Sequence, residues 1–174
     1  ISNLIQLLVS LISHCLQKFS GIFFLTSLLF LFFSISASNA QSTSLFFLDQ
    51  DVEPGTTISV DLKVSAFEDM VGMQFSVNWD PTVLEYNTIE DFGINDITLT
   101  SNFGLDSVGV GRFGFLWIDL SLAGVALPDS TVLFSIKFDV IGDALSSSPV
   151  SFSDIPTLIE LSDGQGVITP ELIT

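Results

Sequence analysis

VGMQFSVNWDPTVLE, residues 71–85, is the stretch from which the rest of the chain is read. Phe75, Val77 and Trp79 alternate with Gln74, Ser76 and Asn78. That is the period of a strand with one face in a core and the other outside it. Asp80-Pro81 ends the strand, because proline has no N–H for a ladder and fixes its own φ. Val83 and Leu84 begin the next apolar run.

The same period recurs on both sides. Ser44–Leu48 reads as a short first strand, and Pro54-Gly55 as a turn. Thr57–Ala66 puts Ile58, Val60, Leu62 and Val64 on one face. Residues 66–71 (AFEDMV) read as a loop, and Leu84–Ile89 as a strand turned by residues 91–95 (DFGIN). Ile97 and Leu99 suggest a short strand, and the region of Gly104, Gly109 and Gly111 a loop. Arg112–Ile118 sets Phe113, Phe115 and Trp117 inward, and Ser121–Ser130 is a small-residue connection. Thr131–Val140 alternates most clearly, with Val132, Phe134, Ile136, Phe138 and Val140 inward. Val150–Phe152 is shorter, and Asp163-Gly164 marks a turn in the tail.

No segment past residue 40 sustains a helical period. Many short strands separated by turn signals predict an all-β, two-sheet sandwich with jelly-roll topology, occupying residues 44–174. The expected core is Phe75, Val77, Trp79, Phe113, Phe115, Trp117, Phe134, Ile136 and Phe138.

The first 40 residues are of another kind. They hold no acidic residue, whereas all 20 Asp and Glu lie after residue 48. Lys18, the apolar run Gly21–Phe33 and the small-x-small ending Ser38-Asn39-Ala40 read as a secretory signal peptide over about 18–40. An uncleaved membrane anchor is the other reading, since the run is close to spanning length. Cys15 does not read as a lipoprotein cysteine, because no small residue stands just before it and an apolar core follows it instead of preceding it. The protein is thus expected to be secreted or held at the cell surface. Beyond residue 40, Lys63, Arg112 and Lys137 against 20 acidic residues leave a net charge of −17. Such a charge repels nucleic acid and anionic membranes.

That body also has no Cys and no His. Disulfides, thiol chemistry, Ser-His and Cys-His nucleophiles and Cys or His metal sites are excluded from it. Carboxylates for glycoside hydrolysis are abundant, but no pattern sets two of them across a cleft. The expectation is no catalysis and no cofactor. Asp49, Asp51 and Glu53 alternate before Pro54 and offer oxygens that calcium favours. The spacing lacks the glycine and distant glutamate of a helix–loop–helix site, so a solvated charged loop is the simpler reading.

The strand–Asp-Pro–x-x-Leu-Glu unit of residues 71–85, with Pro54-Gly55 upstream, resembles the cohesin family from about Leu45 onward. The resemblance implies a receptor module for dockerin-type modules on other polypeptides, with calcium on the partner's side and a link to polysaccharide breakdown. It also implies that the strands carrying Gln74, Arg112 and Thr131 are neighbours in one sheet that receives the partner. By alternation the outward residues of these strands are Gln74, Ser76 and Asn78, then Arg112, Leu116 and Ile118, then Leu133, Ser135 and Lys137. Asp119 falls where cohesins often have an acidic residue, whereas Gly72 and Gln74 stand where they often have Asn and Asp. Leu116, Ile118 and Leu133 among polar groups suit a protein partner, unless Ser121–Ser130 covers them. Two other functions compete: direct polysaccharide binding, for which only Tyr86 is a ready exposed ring, and a structural adhesion module.

The resemblance further implies a last strand beside the first. Pro170 interrupts the tail Gly166–Thr174 and supplies no donor. The closing strand is therefore expected to be incomplete or absent, leaving Ser44–Leu48 an open apolar edge.

Overall fold

Residues 42–174 are described by the computed structural model, as twelve strands in two sheets. The proposed signal segment, with His14 and Cys15, lies outside them. No helix among the described residues is long and apolar enough to cross a membrane.

The first sheet has the order β12-β1-β2-β8-β4: β1 Ser44–Phe46, β2 Thr57–Ser65, β4 Leu84–Glu90, β8 Thr131–Val140 and β12 Glu171–Ile173. The second runs β11-β10-β3-β6-β5: β3 Phe67–Asn78, β5 Phe103–Gly104, β6 Arg112–Ile118, β10 Glu160–Asp163 and β11 Gly166–Ile168. Two further strands, β7 Val125–Leu127 and β9 Ser151–Ser153, also pair with β3. Every pairing is antiparallel except that of β12 with β1. This is the expected all-β sandwich.

All nine expected core residues are buried. Phe134 of β8 meets Phe103 and Phe115 of the facing sheet at ring-centroid distances of 5.1 and 5.2 Å. Phe75 packs against Phe115 at 5.0 Å, and Trp79 against Phe138 at 5.1 Å. Offset and edge-on pairs of this kind add to the area term, so the sheets are joined by interlocked rings. The Asp80-Pro81 stop also works as expected. Thr82 donates its amide and hydroxyl to Asp80 Oδ1, and the Trp79 indole N–H donates to the Leu84 carbonyl at 2.9 Å.

Several expectations are corrected. Residues 66–71 are not a loop. From Phe67 they form an irregular start of β3, with Asp69 at φ 54° and a register shift between Phe67 and Met70. Leu99–Asn102 is one helical turn (α1), where Thr98 Oγ1 accepts from the Ser101 amide and so favours a turn over a strand. The closing strand is present. Pro170 stands before β12 and not within it, so Glu171 N–H still donates to Thr43 and Ile173 C=O still accepts from Phe47. The first strand is therefore covered on that side.

Candidate functional site

Alternation along β3 and β6 turns one set of side chains away from the core, and the register sets them opposite each other. Gly72 lies across from Ile118, Gln74 from Leu116, Ser76 from Gly114 and Asn78 from Arg112. On the far side of β3, Ser162 pairs with Gly72 and Glu160 with Gln74, and Val167 of β11 pairs with Ser162. Leu116 is 47 % exposed, Ile118 51 % and Val167 71 %. An apolar strip thus lies open on the outer face of this sheet.

A strap crosses the same face. The chain leaves the sheet after β9, passes over β3 and β6 at Pro156-Thr157, and re-enters as β10. Ser76 Oγ accepts from the Thr157 amide at 2.7 Å and donates to the Thr157 carbonyl at 2.9 Å, which fixes the strap on β3. On β6 a Cβ at Gly114 would overlap Thr157 Oγ1, so only glycine lets the strap lie this close. Asp154 Oδ1 accepts the Ile159 amide at 2.9 Å and draws the two ends of the loop together. Between the strap, β5 and α1 is a shallow depression lined by Asn102, Gly104, Asp106, Gly114 and Leu116.

Beyond Ile118, Asp119 organises an apolar turn. Its carboxylate accepts from the Ser121 hydroxyl at 2.7 Å, the Ser121 amide at 2.9 Å and the Gly124 amide at 3.0 Å. The Ser121 hydroxyl, followed by the Ser121 amide, holds the Asp119 carboxyl below its ordinary range. Leu120 and Leu122 project from this turn into solvent.

The expected site residues separate accordingly. Gln74, Leu116 and Ile118 share the open strip, and Asp119 borders it with its oxygens engaged in its own turn. Ser121–Ser130 does not cover Leu116 or Ile118. Ser76 is fully buried beneath the strap, and Asn78 and Arg112 lie on the other side of it. The expectation that the Thr131 strand shares this sheet is wrong. β8 lies in the opposite sheet, between β2 and β4.

Its three candidates therefore face elsewhere. Leu133 is 0 % exposed, because a bulge opposite Leu62 and Lys63 inserts it as an extra residue and turns it inward. Ser135 is buried and donates to Asp61 at 2.8 Å. Lys137 donates to Glu90 at 2.7 Å, which raises the ammonium pKa. Alternation missed Val167 and the strap. Val167 was legible as an outward position in the Asp163-Gly164 hairpin, but the strap had no local signal.

Asp49, Asp51 and Glu53 lie exposed along their loop. Among the described residues no three carboxylate, His or Cys side chains converge as a cation site.

Comparison with known proteins bears on the fold. The profile of the cohesin domain family matches residues 45–168. No curated protein matches the sequence. Among solved structures, the sixth cohesin of scaffoldin B of Acetivibrio cellulolyticus, in complex with a Cel5 dockerin, is 21 % identical with a TM-score of 0.61, covering 76 % of this chain and 94 % of its own. The OlpA cohesin of Clostridium thermocellum, in a type I cohesin–dockerin complex, is 17 % identical at TM-score 0.63, covering 76 % and 95 %. A non-cellulosomal cohesin from the archaeon Archaeoglobus fulgidus is 20 % identical at TM-score 0.57, covering 76 % and 87 %. At these identities the likeness concerns the fold.

Proposed function

The chain belongs to the cohesin domain family, and from that premise we propose that it is a non-catalytic recognition module for a dockerin-type module on another polypeptide. The docking surface is the outer face of the β3–β6 sheet, centred on Gln74, Leu116 and Ile118. The observation that carries this is the open apolar strip of Leu116, Ile118 and Val167, set against a largely polar outer face on β2, β8 and β4 of the opposite sheet. An exposed apolar centre with a polar border is the composition of a protein-binding surface. Similar folds solved in dockerin complexes support the choice of partner. Calcium belongs to that partner, and the module works outside the cell, in assemblies for polysaccharide breakdown.

Direct polysaccharide binding fits less well. Stacking on sugars needs a flat ring open to solvent, and no aromatic side chain among the described residues is exposed; Tyr86 is half-buried. The test is titration calorimetry against a panel of isolated dockerin modules, beside a pull-down on insoluble cellulose. The expected result is saturable dockerin binding, lost in Leu116→Asp, with no retention on cellulose. Retention on cellulose with no dockerin bound contradicts the proposal.

A further inference from the structure

We propose that the end of the sandwich where β2 begins and β8 ends carries a second binding site, separate from the β3–β6 face, for a peptide segment whose bulky apolar side chains are flanked by lysine or arginine. The chain between β1 and β2 and the chain between β8 and β9 stand apart there and enclose a cleft of about 810 Å³. Its floor is the end of the core: Phe47, Val60, Leu84 and Val140, each 5 or 6 % exposed, beside the half-buried Ile58 and Val83. Clefts of this size with an apolar floor are the usual form of a ligand site. Both walls are tied to the sheets. Gln50 Nε2 donates to the Ser59 carbonyl at 3.0 Å, and the Gly55 amide to the Val140 carbonyl at 2.8 Å. On the other wall the Ile141 and Gly142 amides donate to the Val83 carbonyl, and the Asp80 amide donates to Ser148 Oγ at 2.8 Å. A cleft fixed in this way costs little ordering when it is filled.

Two features select the occupant. Residues 48–52 line the cleft, belong to no strand, and make no main-chain to main-chain hydrogen bond among the described residues. Free N–H and C=O groups beside an apolar floor suit a second stretch of main chain, with the floor taking its side chains. The exposed Leu48 and Leu145 add aliphatic surface at the mouth. Charge selects the flanks. Asp49, Asp51 and Asp143 line the cleft, no lysine or arginine does, and none of the three forms an ion pair among the described residues. Ammonium or guanidinium groups at either end of the bound segment are attracted by these carboxylates, and acidic ones are repelled.

An NMR titration of the isotopically labelled protein with the synthetic peptide acetyl-Lys-Leu-Phe-Leu-Lys-amide tests this without any dockerin module. Saturable amide shifts are expected at Asp49, Asp51, Ser147 and Val150, with Gln74, Leu116 and Ile118 unmoved. Replacing both lysines of the peptide by glutamate should weaken binding at least about tenfold at low salt. Replacing its three central residues by glycine should abolish saturation. Asp51→Asn combined with Asp143→Asn should weaken the lysine peptide at least about threefold, with an unaltered melting temperature. No saturable shift, or saturable shifts centred on Leu116 and Ile118, overturns the site. Equal binding of the glutamate peptide, or an unaffected double variant, overturns the basic flanks. Equal binding of the glycine peptide reduces the effect to attraction by the acidic surface and overturns the apolar seat. Shifts at the same residues that grow with protein concentration alone would place a second copy of the chain in the cleft and overturn the peptide as its occupant.

Discussion

The two outer faces of this sandwich are made by the same alternation and share one aromatic core, yet they present opposite chemistry. On the β2–β8–β4 face the polar groups satisfy one another: Lys137 pairs with Glu90, Lys63 with Asp61, Ser135 donates to Asp61, and Thr57 and Asn87 donate to Asp139. Such a face has little to gain from a partner, which would have to desolvate pairs already made. On the β3–β6 face Leu116, Ile118 and Val167 meet no covering layer. Their burial by another molecule releases water from aliphatic surface, at roughly 25 cal/mol per Å² before the costs of association are subtracted. A residue's outward phase therefore says little about binding until it is known which sheet it faces from and what covers it.

Both faces rest on the shared core. Phe134 touches rings from both sheets, and Phe134→Ala should cost about 3–5 kcal/mol, read by urea denaturation. A loss below about 1 kcal/mol would mean that the faces are not held by one core. Trp117→Ala should fall in the same range.

Leu116→Asp should weaken dockerin binding by at least about 2 kcal/mol, the scale of an interface hot spot, because it leaves a charge unpaired at the contact centre. Its melting temperature should stay close to wild type, since the side chain is already half in water. Ser59→Asp, on the polar face, should change binding by no more than the scatter of the assay.

A subtler effect concerns the strap. Gly114→Ala places a methyl group against Thr157 and should destabilise by about 1–3 kcal/mol through overpacking. Amide exchange should show the Thr157 N–H losing protection before the β3–β6 ladder does.

The smallest effect is one of pH. Asp80, Asp119 and Asp129 are each held below the ordinary carboxylate range, Asp80 and Asp119 chiefly by the hydroxyls of Thr82 and Ser121, and Asp129 chiefly by the Ala66 amide. A carboxyl whose folded pKa is depressed contributes stability above its unfolded value of about 4 and loses it as pH falls through the folded value. The melting temperature should therefore decline below about pH 4, and less steeply in Asp119→Asn. An identical acid profile in that variant would show that the Asp119 turn does not titrate with folding.

Local pattern carried most of the fold and part of the site. Phe75, Trp117 and Phe134 were legible because long regular strands keep their phase, and the outward setting of Gln74, Leu116 and Ile118 followed from the same count. Leu133 was misread because one inserted residue reverses the phase beyond it, and no residue type marks that bulge. The sheet to which Thr131–Val140 belongs was illegible for another reason: both sheets bury one face against the same core, so their strands read alike. The strap rests on a contact between Ser76 and Thr157, 81 residues apart. Pro170 was seen, but its consequence depends on whether it stands inside the ladder or one residue before it.

Amide chemical-shift mapping of the isotopically labelled domain during titration with a dockerin module that binds it locates the docking face residue by residue. The largest shifts are expected at Gly72, Gln74, Leu116 and Ile118, and essentially none at Ser59, Lys137 and Asp139. Shifts concentrated on the β2–β8–β4 face, with Leu116 and Ile118 unmoved, would rule out docking on β3 and β6.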